Sequence, residues 1–235
     1  MTFQKLSTTD LQFVVTRIPK DVRDYMRSSP IWIGGGFIRE TISGGEVNDL
    51  DLFSNDTATL TRCSEYLFGK REGSKVHKTN NAITLLAPPR MPVQFITRWP
   101  FEEPEKLIAS FDFTVCQAVI YFNQNTSLFD SVISDRFYQD LAAKRLTYTN
   151  PVREEEAGGS MLRVLKFMKR GYNIQPKSLG DVVSRLVTKV NPERMGGGIS
   201  IEFVGDVIAG LLREVDPNLA VDGLDWANEH EFTEL

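Results

Sequence analysis

Asp49 and Asp51 stand one residue apart at the head of a short apolar run that continues to Phe53. Side chains alternate faces along a strand, so both carboxylates would project from one face, about 6.5–7 Å apart at Cα. Carboxylates placed in this way can share a pair of Mg²⁺ or Mn²⁺ ions spaced about 3.5–4 Å apart. Upstream lies Ile31-Trp32-Ile33-Gly34-Gly35-Gly36-Phe37-Ile38-Arg39-Glu40, an apolar run that breaks into glycines and then a polar segment. Glycine lets backbone N–H groups approach phosphate oxygens without a Cβ in the way. Arg39 would neutralise a triphosphate through its two-pronged guanidinium. The set suits one chemical task, holding a nucleoside triphosphate on divalent metal so that its α-phosphate is open to attack.

These residues need a sheet behind them. Ile31–Ile33 reads as a buried strand and Phe37–Ile42 as the helix after it, closed by Ser43-Gly44-Gly45 in the manner of a helix C-terminus. Leu50–Ser54 is the strand that carries the aspartates, and Thr57–Leu67 is an amphipathic helix. Lys75–Thr79 and Ala82–Leu86 flank Asn80-Asn81, a hairpin turn because asparagine tolerates positive φ. Met91–Thr97, bounded by prolines, is another strand. Pro104–Ser110 is helical and Phe113–Phe122 strand-like. Leu11–Met26 has helical spacing and ends at Ser28-Ser29-Pro30. The alternation predicts an α+β domain over residues 1–150, a mixed or antiparallel sheet with flanking helices. Beyond Pro151, Met161–Arg170, Leu179–Val190 and Ile199–Arg213 (after Gly196-Gly197-Gly198) predict a small all-helical domain over 151–235.

Composition excludes several classes. The chain of 235 residues is 41% hydrophobic and 25% charged, ordinary for a globular protein with a real core. It holds no apolar run near the roughly 20 residues of a membrane span. The start, Met1-Thr2-Phe3-Gln4-Lys5, lacks the layout of a secretory signal. Cys63 and Cys116 are far apart, which argues against a disulfide framework or zinc site and for reduced thiols in the cytoplasm. With only His77 and His230, a Ser-His or Cys-His mechanism has no support. The net charge of −4 is uneven, with residues 144–194 at +6 and 195–235 at −8. A basic block behind a nucleotide site is what a polyanion-binding surface needs; the alternative is a solvated basic helix face.

Gly35-Gly36-Phe37-Ile38-Arg39-Glu40 followed by Asp49-Leu50-Asp51 resembles the GG-x-x-R-D and D-x-D motifs of class II tRNA nucleotidyltransferases and bacterial poly(A) polymerases. These belong to the polymerase-β-like nucleotidyltransferase superfamily. The resemblance runs on through Asp112-Phe113-Thr114-Val115, Leu128-Phe129-Asp130, Asp140-Leu141-Ala142-Ala143-Lys144-Arg145-Leu146 and Met161-Leu162-Arg163-Val164-Leu165-Lys166-Phe167, over residues 31 to about 175. It implies a catalytic head followed by a helical neck, with Asp49 and Asp51 as metal ligands and catalytic groups. It also implies a nucleotide pocket of Gly35, Gly36, Arg39, Asp112, Arg163 and Lys166. The implied partners are an NTP and an RNA 3′ end, with no membrane.

Three departures stand out. Ser110, Phe111 and Cys116 replace two arginines and an asparagine of the family's R-R-D-F-T-I-N segment. The base-selecting E-D-x-x-R aligns with Glu156-Ala157-Gly158-Gly159-Ser160, which lacks its Asp and Arg, so selection of CTP then ATP by that template should fail. Gln94 stands where a third carboxylate is usual; its carbonyl can coordinate metal but brings no charge. Two alternatives therefore stay open beside RNA extension: transfer to a protein or small molecule, and a nucleotide-binding regulator without turnover.

Overall fold

The computed structural model describes residues 2–151 and 157–188, together with Gly205 and Ile208. The chain divides into two compact units, Met1–Ala143 and Lys144–Leu235.

The first unit is built on an eight-stranded sheet. Its strands are β1 (Phe3–Gln4), β2 (Ile31–Gly34), β3 (Leu50–Ser54), β4 (Lys75–Lys78), β5 (Ala82–Ala87), β6 (Arg90–Ile96), β7 (Ala118–Asn123) and β8 (Leu128–Ser134). In space they run β1-β8-β7-β2-β3-β6-β5-β4. β3 and β6 are parallel, and the other neighbouring pairs are antiparallel. The sheet is thus mixed and the architecture α+β, as the alternation of elements predicts. All four residues of β2 are buried, which suits a continuous apolar strand at the centre of a sheet.

Helices α1 (Thr8–Arg17), α2 (Lys20–Met26), α3 (Gly36–Ser43), α4 (Thr57–Lys70), α5 (Pro104–Ser110) and α6 (Phe137–Ala142) flank the sheet. Asp56 caps α4 by accepting from the N–H groups of Ala58 and Thr59, which otherwise have no partner in the first turn. Gly44 ends α3 with φ 70°, a left-handed position that glycine takes without a Cβ clash.

Three elements differ from the sequence expectation, each for a local reason. The single helix expected over Leu11–Met26 is two helices, α1 and α2. Pro19 has no N–H and forces Ile18 into an extended conformation (ψ 128°), so the first helix stops there. The β4–β5 turn forms without positive φ at Asn80 or Asn81. Instead the Thr79 hydroxyl oxygen accepts from the N–H groups of Asn81 and Ala82, a side chain standing in for a backbone turn. The strand expected over Phe113–Phe122 begins only at Ala118, because Thr114–Cys116 coils into a 3₁₀ turn. That turn is tied down by the Thr114 hydroxyl, which donates to the fully buried Asp140 carboxylate at 2.6 Å.

A buried ion pair joins α2 to the end of α4. Arg71 donates from Nε and Nη2 to the two oxygens of Asp21 at 2.8 and 3.1 Å, and Arg90 adds a third contact. Burial pushes the Asp21 carboxyl up, but the Arg71 hydrogen bonds and charge, with the Val22 N–H and Arg90, outweigh it and leave its pKa below 3.8.

In the second unit β9 (Arg145–Leu146) and β10 (Asn173–Ile174) form a short parallel ladder beside α7 (Ala157–Lys169) and α8 (Pro176–Thr188). The Ser178 hydroxyl accepts from the Tyr148 N–H, and Arg185 donates to the Tyr148 hydroxyl and the Pro151 carbonyl. Gly205 and Ile208 are helical; the rest of the expected helix Ile199–Arg213, the glycine run 196–198, the acidic tail and Glu156 lie outside the described residues. Among the described residues, no helix is long and apolar enough to cross a membrane.

Candidate active site

Strand register assembles the site. Ile33 on β2 pairs with Leu52 on β3, and continuing that ladder by one residue brings Gly34 opposite Asp51. On the other side of β3, Asp51 pairs with Gln94 of the parallel β6. Gln94 Nε2 donates to Asp49 Oδ2 at 3.0 Å. An ionised carboxylate only accepts, so this bond assigns the amide nitrogen to Asp49 and turns the Gln94 carbonyl oxygen elsewhere. Asp49 sits just before β3, and Asp51 is its second residue. Both aspartates and Gln94 are half-buried, open enough to reach a ligand and not sealed beneath hydrocarbon. Asp49, Asp51 and Gln94 therefore meet at the end of β2 where the chain breaks into glycine.

The glycines have different tasks. Gly35 adopts φ 73° and ψ −122°, a combination that only glycine takes readily, and precedes the first residue of α3. Its N–H donates to the Ala118 carbonyl at 3.1 Å, so it belongs to the sheet. Gly36 opens α3, and its N–H has no partner within the helix. It is the backbone donor best placed for an anion. Gly34 is a packing position: a Cβ there would stand 3.0 Å from Phe111 Cζ and 3.2 Å from Phe53 Cε2. Phe111 in turn meets Phe53 edge-on, ring centroids 6.0 Å apart. Where the family resemblance would put an arginine, this chain packs an aromatic ring onto the glycine run. The substitution is visible in the sequence; the packing is not.

Arg39 is buried beside the same turn. Its Nε and Nη2 donate to Glu40 Oε1 at 2.9 and 2.8 Å, and Nη1 donates to Cys116 Sγ at 3.3 Å. A Cβ on Gly36 would lie 3.5 Å from Arg39 Nη2, so the guanidinium rests against the glycine backbone. The Glu40 carboxylate folds over Gly45, where any side chain would collide with it. Sequence reasoning assigns Glu40 no role, since nothing in the residue order says that it grips its own neighbour.

Asp112 is buried two residues before the start of the 3₁₀ turn. Arg163 and Lys166 lie on α7 of the second unit, half-buried and exposed respectively. Cys63 is no nucleophile, since burial and the charge of Asp21 push its thiol up to about 12. Cys63 and Cys116 are buried thiols and form no disulfide.

No group of three or more His, Cys, Asp or Glu residues suited to a metal occurs among the described residues. The metal-facing donors at the site are two carboxylates, both hard oxygen ligands, with the Gln94 amide N–H holding one of them. They fit Mg²⁺, which is commonly held by one or two carboxylates plus substrate phosphates and retained water.

A family model matches residues 5–144, the span of the sheet unit with its glycine turn and aspartates. The chain belongs to the Gabija anti-defense 2 family. No curated protein matches it in sequence. Among solved structures, this Gabija anti-defense 2 family chain is similar to the Thermotoga maritima CCA-adding enzyme complexed with tRNA. The TM-score is 0.55 at 16% identity, covering 93% of this chain and 57% of that one. A CCA-adding enzyme in complex with CTP gives 0.57 at 16% identity, over 97% and 53% of the two chains. A tRNA nucleotidyltransferase complexed with a primer tRNA and an incoming ATP analogue gives 0.51 at 19% identity, over 78% and 56%. The chain thus spans between half and three-fifths of these enzymes' length. The likeness establishes a nucleotidyltransferase-like fold, while the sequence family is a different one from that suggested by the motifs.

Proposed function

We propose that this Gabija anti-defense 2 family protein is a metal-dependent nucleotidyltransferase. It moves a nucleoside monophosphate from an NTP to an acceptor hydroxyl, an RNA 3′ end, and releases pyrophosphate. The observation that carries the reading is the meeting of Asp49, Asp51 and Gln94 at the glycine turn. Asp49 and Asp51 hold Mg²⁺ or Mn²⁺, and Gln94 orients Asp49 through its amide. When bound, the metal supplies Lewis-acid stabilisation of the α-phosphate and activation of the acceptor hydroxyl. The Gly36 N–H donates to phosphate oxygens, Gly35 shapes the turn, and the Arg39 guanidinium, held in place by Glu40, lies beside them. Asp112 contributes to the nucleotide site of the sheet unit, and the resemblance proposes Arg163 and Lys166 on α7 as further nucleotide-binding cations. The related structures support NTP and RNA as partners, since those proteins are complexed with CTP, an ATP analogue or tRNA. The family's description suggests that the activity serves against the Gabija defence. Buried thiols suit a reducing, cytoplasmic setting.

The test is incubation of the purified chain with each α-labelled NTP, Mg²⁺ and mixed RNA. Incorporation is expected with the wild type and should fall at least about 10³-fold in Asp49→Asn and Asp51→Asn, because metal-held charge is the main catalytic contribution. Equal incorporation by all three proteins refutes the assignment. Gln94 favours one second reading, a nucleotide-binding regulator. It predicts NTP binding with no pyrophosphate released.

A further inference from the structure

The face of the sheet that carries Asp51 continues past it. Strand register places Asp51 beside Gln94, Gln94 beside Thr84 and Thr84 beside His77. Paired residues point to the same side, and neighbouring strands lie about 4.8 Å apart, so these four side chains form one row from β3 to the sheet edge at β4. Towards the other side the row runs through Gly34 to Val119, which is buried in an apolar cluster with Trp32, Phe53, Leu107 and Ile108. Towards β4 it opens. Gln94 and Thr84 are half-buried, His77 is exposed, and Lys75, two residues from His77 on the same face, is exposed as well. The opposite face of β5 and β6 is closed: Ile83, Leu85, Val93 and Phe95 are at most 6% exposed.

Charge singles out this wing. From residue 73 to 101 there is no Asp or Glu, but there are Lys75, Lys78, Arg90 and Arg98, in a chain whose net charge is −4. Arg90 is engaged by Asp21 and Lys78 faces the other way, so Lys75 is the lysine of β4 on the open face. Strands that carry no carboxylate of their own and lead from Asp49 and Asp51 suit a line of phosphates.

Building on the nucleotidyltransferase reading above, we infer that the open face of β6, β5 and β4 is the track on which a single-stranded RNA acceptor lies. Its 3′ end reaches Asp51 past Gln94 and Thr84, and its backbone leaves over His77 and Lys75. Lys75 and Lys78 provide an internal control, since they sit on one exposed strand but on opposite faces.

The experiment uses the full chain and a fluorescein-labelled single-stranded RNA of about 12 nucleotides, with affinity read by anisotropy at several salt concentrations. Lys75→Glu should weaken binding at least about fivefold at low salt and flatten the salt slope by about 0.7. Thr84→Glu, a carboxylate in mid-track, should weaken it at least about tenfold. Lys78→Glu should stay within about twofold, and NTP binding should be unchanged in all three. Equal losses in Lys75→Glu and Lys78→Glu, no loss in either, or a wild type that binds acidic protein but not RNA would overturn the track. Should Thr84→Glu fail to fold, the lysine pair decides alone. The two readings fail separately. Full transfer activity in Asp49→Asn and Asp51→Asn sinks the catalytic assignment, whereas loss of the lysine asymmetry sinks the track.

Discussion

Along β3, β6 and β5, adjacent residues belong to two different environments. Leu50, Leu52, Val93, Phe95, Ile83 and Leu85 are shut away on one face, while Asp51, Gln94 and Thr84 stand half-open on the other. The closed face carries folding free energy by removing hydrocarbon from water. That separation frees the other face to hold polar groups near one another. A strand with one buried side can place carboxylates within reach of a ligand without asking them to stabilise the fold.

The sharpest way to break this contrast is to change neighbours of opposite orientation. Asp51→Asn should cut nucleotide incorporation at least about 10³-fold and leave the urea midpoint almost where it was. Leu52→Ala should do the reverse, costing about 3 kcal/mol of stability with turnover per folded molecule unchanged. Urea titration and transfer assays on the same preparations check both, and a shared loss would erase the distinction between the faces.

A structural carboxylate offers the next comparison. Asp21→Asn leaves the fully buried Arg71 guanidinium without its counter-charge and should cost about 3 kcal/mol near neutral pH. Because the folded pKa of Asp21 lies below its ordinary value of 3.8, its contribution is fully present above that value. It fades as the pH falls through the lower folded value, since the unfolded chain then binds the extra proton. Unfolding curves of wild type and Asp21→Asn should therefore converge on acidification; a constant gap would contradict the pairing.

Gly35→Ala places a Cβ at φ 73° and against the Phe111 ring at 3.6 Å. A stability loss of about 2 kcal/mol is expected, with weaker NTP binding, read by calorimetry. The smallest effect is expected at Gln94. Gln94→Ala removes the donor that orients Asp49 and should lower Mn²⁺ affinity about tenfold by electron paramagnetic resonance. Unchanged affinity would show that the amide has no bearing on the metal.

Several features were legible from residue order. The glycine break after Ile31–Ile33 and the paired aspartates before Leu52 mark a strand, a turn and a second strand, and Gly44 marks the end of the helix between them. Pro19, which splits α1 from α2, is equally legible, although the helical spacing of apolar residues runs on across it. The β4–β5 turn departs from its sequence pattern in detail, since Thr79 makes it while Asn80 and Asn81 stay out of the left-handed region.

Local chemistry is written in local sequence: alternation along β3 puts Asp49 and Asp51 on one side, and glycine at 35 permits a backbone turn that other residues resist. What no run of neighbours contains is which strand lies beside which. Asp49 and Gln94 are 45 positions apart and meet through a parallel pairing of β3 with β6. Phe111 reaches Gly34, and Thr84 and His77 extend the row from Asp51, for the same reason. Register is decided by how whole faces bury their hydrocarbon, a collective quantity, and so the tertiary structure alone chose the companions of residues whose types the sequence had already named.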